Sequence, residues 1–322
     1  MTQARHDKRI TLQPDRHVPP KLVTPSRCLP VLACVAAGLL LAAGGCTQPG
    51  DARFSKSKTG VVDVMSFNIR NGKANDGVNN WRQRRDILVG VIAEYGGDIV
   101  GLQEAFHFQA DYIAAKLPQY GIYYTGRDNG AKAGESCAIL YRKDQYTLAE
   151  SGTFWFSDTP AKPSTHWGNK YLRICSWVRL VNKADSKGVY VYNLHLDHIS
   201  QHSRKKSTRL LARRISQRTE KDPVIVMGDF NMTLDNPGMK YLLNGGDDNP
   251  CPRMVSAWEI AHPKGPALRT GHGFKGGKTG SAIDHILIED GSTVLKADVD
   301  QRKIKGRWPS DHYPVTARIK LY

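Results

Sequence analysis

The apolar positions of this chain come in short runs, and most of those runs end in a cluster of polar residues. Val61–Asn68 (VVDVMSFN), Asp98–Glu104 (DIVGLQE), Val189–His198 (VYVYNLHLDH) and Val224–Asn231 (VIVMGDFN) read as strands. They close on Asn68, on Gln103-Glu104, on His195, Asp197 and His198, and on Asp229 and Asn231. Near-continuous apolarity is the mark of a strand buried on both faces. Two later segments, Ala282–His285 (AIDH) and Ser310–Val315 (SDHYPV), place Asp284, Asp311 and His312 where the chain runs into an apolar strand. Polar strand ends of this kind gather at one sheet edge, where α/β folds build their sites.

Between these runs, residues 80–95 carry Ile87, Leu88, Val91, Ile92 and Tyr95 at helical spacing, with Asn79 or Asn80 as N-cap and Gly96-Gly97 as the stop. The pattern predicts further helices at 106–117, 202–219 and 236–243. Strands are predicted near 98–102, 120–125, 136–142, 147–156, 172–181, 189–195, 224–228, 283–289, 294–300 and 313–320. Several strand pairs have no helix between them, so the sheet is mixed rather than purely parallel. Nothing repetitive or linker-like divides residues 61–322, which read as one domain large enough to need no disulfide.

The first 60 residues do not fit this pattern. Basic residues at 5, 8, 9, 16, 21 and 27 precede an apolar run, Cys28–Gly45, too short for a membrane span of roughly 20 residues and suited to a signal peptide. The run ends Ala43-Gly44-Gly45-Cys46, which resembles a bacterial lipobox with Ala43 where Leu is preferred. Residues 1–46 are therefore expected to direct export and to leave Cys46 lipidated and anchored to the membrane, with 47–60 as a polar tether. An uncleaved anchor or a misplaced start codon are the competing readings.

Charge widens the choice of partner. The formal net charge is +16; residues 1–46 hold six basic and two acidic residues, which leaves +12 on the remainder. Such a surface attracts polyanions: nucleic acid, phospholipid head groups or phosphorylated polymers. Much of it sits in 202–221, where Leu210, Leu211 and Ile215 form an apolar stripe, and a solvated helix face is the plainer reading. Cys137 and Cys175 fall in predicted strands and read as small buried hydrophobes, able to pair only if those strands are adjacent. No Cys/His spacing resembles a zinc site.

In this order, LQE, GDFN and SDHYPV resemble the endonuclease/exonuclease/phosphatase superfamily, over about Val61 to Ile319. The stretch Phe67–Arg85 (FNIRNGKANDGVNNWRQRR) is similar to a bacterial branch of it. The resemblance implies a four-layer α/β sandwich, two packed mixed β-sheets with helices outside. It implies hydrolysis of phosphodiester bonds with Mg²⁺ or Mn²⁺; no protein partner can be inferred, and the chain is expected to act as a monomer. A hard cation takes oxygen ligands and few carboxylates, which makes Glu104 the principal ligand candidate, with Asn68 and Asp311 in support. Asp229 and Asn231 match residues that orient the attacking water and the phosphate; Asp284 and His312 match a His–Asp pair. His195 matches a second histidine, and Glu135 fits its carboxylate partner. The division of acid–base roles between the histidines stays open.

Lesser candidates complete the expectation. Arg173 could bind phosphate, although an exposed arginine is the plainer reading. Asp197 and His198 lie on alternate faces, so at most one joins His195. Asp76-Gly77 and Trp81 would shape a rim, His166-Trp167 would hold a ring, and His272 and Lys275 would sit in a mobile Gly-rich wall. A nuclease is the leading substrate reading; a phospholipid or inositol-phosphate hydrolase is the second, and a catalytically silent binding protein the third.

Overall fold

The structure, a computed structural model, describes residues 59–245, 248–265, 269–277 and 280–322. The expected leader, the lipobox at Cys46 and nearly all of the tether lie outside the described residues.

The strands are β1 (Val61–Asn68), β2 (Ile99–Phe106), β3 (Tyr120–Tyr123), β4 (Glu135–Arg142), β5 (Tyr146–Trp155) and β6 (Ile174–Asn182). They continue as β7 (Gly188–His195), β8 (Val224–Asp229), β9 (Met254–Ser256), β10 (Asp284–Glu289), β11 (Thr293–Val299) and β12 (Val315–Lys320). The helices are α1 (Trp81–Tyr95), α2 (His107–Lys116), α3 (Gln201–Ser216), α4 (Pro237–Asn244) and α5 (Ala257–Ala261). Among the described residues the strands form two six-stranded sheets, ordered β11-β12-β1-β2-β4-β3 and β5-β6-β7-β8-β10-β9. In each, one central pair is parallel (β1 with β2, β7 with β8) and the other neighbours run antiparallel. This is the expected pair of mixed sheets with helices outside.

Strand alternation explains the layers. Along β8, Ile225 and Met227 join Val62, Val64, Ile99 and Val191 between the sheets, while Val224 and Val226 face Leu210, Leu211 and Ile215 of α3. On the other sheet, Met65, Phe67, Val100 and Leu102 turn outward to Leu88 and Ile92 of α1 and Ile113 of α2. Central strands are thus covered on both faces, which is why they read as apolar runs.

The inter-sheet layer turns polar part-way along. Gln103 Nε2 donates to Asn193 Oδ1 at 2.7 Å, and Asn193 Nδ2 donates across the sandwich to the carbonyls of Leu102 (2.9 Å) and Ala138 (2.8 Å). Both amides are fully buried. The sheets approach closely here: a Cβ on Gly101 would come within 2.7 Å of the Met227 methyl.

The structure departs from the predicted pattern in a few places. It adds β9 and α5, too short for a periodic signal, and it ends α3 at Ser216. Cys137 and Cys175 are free and buried, on strands of different sheets.

The inter-sheet amides yield a stability test. Asn193→Leu keeps the volume but removes the shortest acceptor of Gln103 Nε2 and the donor to two carbonyl groups, at a cost of about 2–4 kcal/mol. Calorimetry should show the thermal midpoint lowered by roughly 5–10 °C. A midpoint within about 2 °C of the wild type would remove the bridge from the account.

Candidate active site

The polar site continues the inter-sheet rows to their ends. Asn68 extends the row Val62–Val64 on β1, His195 the row Val191–Asn193 on β7, and Asp229 the row Ile225–Met227 on β8. Asp284 opens β10 directly opposite Asp229 in the antiparallel register. Asp311 and His312 lie just ahead of β12, which runs antiparallel to β1, so they arrive at the same edge. A cleft of about 580 Å³ opens here, lined by Glu104, Glu135, His195, Asp229, Asn231, Asp311 and His312 among others. A separate cavity of about 370 Å³ lies at the opposite strand ends, beside Val61, Tyr146, Gly188 and Pro223, away from the polar cluster.

Two hydrogen-bonded units meet in the cleft. Asn68 Nδ2 donates to Glu104 Oε1 and to Asp229 Oδ2, both at 3.1 Å, and so joins one sheet to the other. The second Glu104 oxygen accepts from Asn71 N at 2.7 Å. On the facing side, His312 Nδ1 and Asp284 Oδ2 are 2.7 Å apart, and His195 Nε2 stands 3.5 Å from Asp229 Oδ2. Asp229 Oδ1 accepts from Asn231 N at 2.8 Å, while Asn231 Nδ2 donates to Leu196 O at 3.0 Å. The GDFN segment is therefore both an Asx-type turn and part of the cluster. Its glycine is obligatory, since Gly228 has φ +146° and a Cβ there would sit 2.1 Å from Leu194 O.

Three non-glycine residues at this edge have left-handed backbone: Arg70 (φ 57°), Glu104 (φ 59°) and Asn231 (φ 50°). Glu104 lies where the β2–β4 register shifts, so a bulge aims its carboxylate into the cleft. Such conformations cost about 1–3 kcal/mol each and persist where surrounding contacts hold them, commonly at functional sites.

The environments drive the two histidines apart. Burial, then the positive charges of Arg173 and Arg127, hold His195 neutral, well below its ordinary range. Burial also acts against charge on His312, but the Asp284 carboxylate overrides it, by charge and hydrogen bond, with Asp229 and Asp311 in support. His312 is held charged, well above the ordinary range. Asp229 is pushed up to about 7 by burial and the facing Asp284, against the charge of His312 and the hydrogen bonds from Asn231 and Asn68. Burial raises Asp311 as well, with His312 opposing and Glu104 adding to the rise.

Two groupings could hold a cation. Asp229, Asp284 and His312 bring ligand-type atoms within 4.8 Å of one another. In that trio the His312–Asp284 hydrogen bond occupies Asp284 Oδ2 alone, and Asp284 Oδ1 is buried without a hydrogen-bond partner. Glu104 and Asp311, with the Asn68 amide beside them, offer hard oxygens facing the cleft.

The sequence did not disclose Arg84. It is 1% exposed, and its guanidinium donates to four carbonyls: Asn79 (3.0 Å), Ile69 (2.6 Å), Arg70 (2.9 Å) and Pro309 (3.1 Å). From α1 it ties the loop after β1 to the approach to Asp311 and His312, and burial lowers its pKa to about 10. Arg70, Asn71 and Arg127 were also missed; for the first two the signal was the polar pair Arg70-Asn71 just past the end of β1, and Arg127 had none.

Several expectations are corrected. Glu135 does not engage His195; it takes Arg127 Nη1 at 2.6 Å and Asn71 Nδ2 at 3.0 Å. Arg173 is buried, 2.8 Å from His198 Nδ1 and 3.7 Å from Asp197. His198 lines the cleft, whereas Asp197 caps the following turn through Ile199 N and Ser200 N. Asp76 binds Arg70 in a two-pronged pair, and Trp81 packs in the core. His166 is exposed, and Trp167 packs against the core under α3. His272 is buried and stacked on Tyr313 at 4.0 Å. On α3, for which a solvated face is the plainer reading, Arg204, Lys205 and Arg209 are not among the residues that line the cleft.

Comparison with known proteins agrees with this geometry. The sequence profile of the Endonuclease/Exonuclease/phosphatase family matches residues 65–312. A family protein from Bacteroides thetaiotaomicron superposes with TM-score 0.74 at 30% identity, covering 80% of this chain and 94% of its own. A mannosyl-6-phosphatase from the same organism gives TM-score 0.73 at 30% identity, covering 80% and 99%. An uncharacterized protein, L388, of Acanthamoeba polyphaga mimivirus is 29% identical over 180 residues, 53% of this chain and 67% of that one.

The clamp is testable apart from any activity. Arg84→Met removes the donor shared by four carbonyls, of which Arg70 O keeps Gln109 Nε2, and should cost about 3 kcal/mol, and Arg84→Lys only part of that. Denaturant unfolding checks this; a wild-type midpoint for Arg84→Met would rule out the clamp.

Proposed function

The chain belongs to the Endonuclease/Exonuclease/phosphatase family, and from that premise we propose that it is a Mg²⁺- or Mn²⁺-dependent phosphoester hydrolase. The observation that carries the reading is one buried carboxylate, Asp229, set between a neutral imidazole, His195, and a charged one, His312. Environments that push like groups apart are how a site assigns acid and base work.

The roles follow from the contacts. Glu104 and Asp311, with Asn68 supporting, are the residues that would hold the cation; their oxygens suit a hard ion, and Asn68 and Asn71 already fix both Glu104 oxygens. When bound, such an ion neutralises charge on the phosphoryl oxygens and makes water more acidic. Asp229, near the midpoint of its titration at neutral pH, accepts the proton of the attacking water. The Asn231 amide group holds that water or a phosphoryl oxygen. His312, kept positive by Asp284, stabilises charge building on the phosphoryl group, and neutral His195 donates a hydrogen bond to it.

The charge distribution favours a small phosphoester over a long polyanion. Arg70, Arg127 and Arg173 in the cleft each lie against a carboxylate. The exposed cations of α3 sit over the outer face of the second sheet. The 30%-identical mannosyl-6-phosphatase points the same way. One structure of the fold bound to single-stranded DNA is 19% identical, and that likeness speaks to the fold alone.

Two measurements test the reading. EDTA should abolish hydrolysis of a phosphoester panel and Mg²⁺ should restore it, while Glu104→Gln should lose most turnover and recover in part at high Mg²⁺. Full activity in EDTA would sink it. Because a raised carboxyl pKa leaves the base form only above that pKa, kcat/KM should fall below pH about 7, by about tenfold per unit. A flat profile from pH about 5 to 8 would take the base role away from Asp229.

A further inference from the structure

The cleft has a second end that the hydrolytic residues do not use. Tyr171, Arg127, Asp128, Glu135 and His198 line it together with the site. The Tyr171 ring is 43% exposed. It lies near-parallel to His198, with planes 17° apart and centroids at 6.3 Å, and the Arg127 guanidinium stands 5.6 Å from its centroid. His198 presents its Nδ1 to Arg173, which leaves Nε2 to face other partners. Asp128 keeps about half of its side chain exposed beside this ring (54%).

Charge decides what this end can bind. Arg127 is neutralised by Glu135 at 2.6 Å and Asp128 at 3.8 Å, and Arg173 by Asp197. Lys170, 5.4 Å from the Tyr171 centroid, adds a single positive charge. A nucleic-acid backbone needs several uncompensated cations in a row, because each neutralised phosphate contributes through counterion release. A flat ring bordered by carboxylates, guanidinium groups and an imidazole has different uses. The aromatic face takes the apolar face of another ring, the carboxylates accept from hydroxyl groups, and the arginine and histidine donate to them.

We propose that this end of the cleft, built on Tyr171, His198, Arg127 and Asp128, is a subsite for an uncharged, polyhydroxylated ring joined to the phosphoryl group, that is, for a sugar phosphate. The inference rests on the hydrolase reading for the position of the phosphoryl group; the cleft of about 580 Å³ holds both parts of such a substrate.

The test compares the full-length protein with Tyr171→Ala in Mg²⁺ on four probes: a hexose 6-phosphate, glycerol 3-phosphate, adenosine monophosphate and a single-stranded DNA dodecamer. Stacking on an exposed ring is a contribution of about tenfold or less in affinity. The wild type should prefer the hexose phosphate to glycerol phosphate in kcat/KM by about that factor. Tyr171→Ala should bring the ratio close to one, mainly through KM, and Tyr171→Phe should keep it. A wild type that does not discriminate, or a Tyr171→Ala that loses both substrates equally, overturns the subsite. So does preference for the nucleotide or the dodecamer, which would make the ring a nucleobase platform. If no probe is hydrolysed, the hydrolase reading falls, and calorimetric binding of the hexose phosphate to wild type and Tyr171→Ala still decides the subsite: equal affinity overturns it, weaker binding by the variant upholds it.

Discussion

The active cleft depends on how the layer between the two sheets changes character along its length. It is apolar through Val62, Val64, Ile99, Val191, Ile225 and Met227, becomes an amide bridge at Gln103 and Asn193, and ends in Asn68, His195 and Asp229. Burial of the apolar part drives the sheets together without fixing their register. The directional bonds of Asn193 to Leu102 and Ala138, and of Asn68 to Asp229, supply the register. A shift of either sheet would break all of them at once. The division of labour follows: Asn68, Glu104 and Asp311 come from the first sheet, His195, Asp229, Asn231 and Asp284 from the second, and the His312–Asp284 pair spans the two.

Stability is given up at this edge. Asp229 and Asp284 are buried carboxylates facing each other across one register position, and three nearby residues hold left-handed backbone. The offsetting contacts are local and numerous: the four carbonyls on Arg84, the two-pronged Arg70–Asp76 pair, and Ser310 Oγ donating to Asn68 O at 2.7 Å. They hold loops that a water-facing chain would relax. Site groups are thus fixed before substrate arrives, the condition under which electrostatic stabilisation of a transition state costs no reorganisation.

Much of this was legible in the sequence. Runs such as VIVMGDFN state both the buried strand and its polar end, so the sheets, α1 to α4 and the convergence of the strand ends could be read directly. Partners across space could not. Glu135 has the residue type to orient His195, yet Arg127, on the preceding loop, reaches it first. Arg173 reads as an ordinary surface arginine until His198 and Asp197 close over it. Arg84 sits among three other arginines within Trp81–Arg85 and the preceding loop, with nothing in spacing or composition to mark the one that turns inward. His272 resembles a loop histidine because its stacking partner, Tyr313, is 41 positions away.

The central claim is that the cation belongs to Glu104 and Asp311 of the first sheet, and that His195 and Asp229 of the second do the proton chemistry beside the His312–Asp284 pair that spans the two. Anomalous diffraction from crystals of the protein soaked in Mn²⁺ locates the ion directly. The account predicts a peak within coordination distance of a Glu104 oxygen, with Asp311 or Asn68 in its surroundings and the His312–Asp284 hydrogen bond intact. A peak held instead by Asp229, Asp284 and His312, with that hydrogen bond broken, would contradict it.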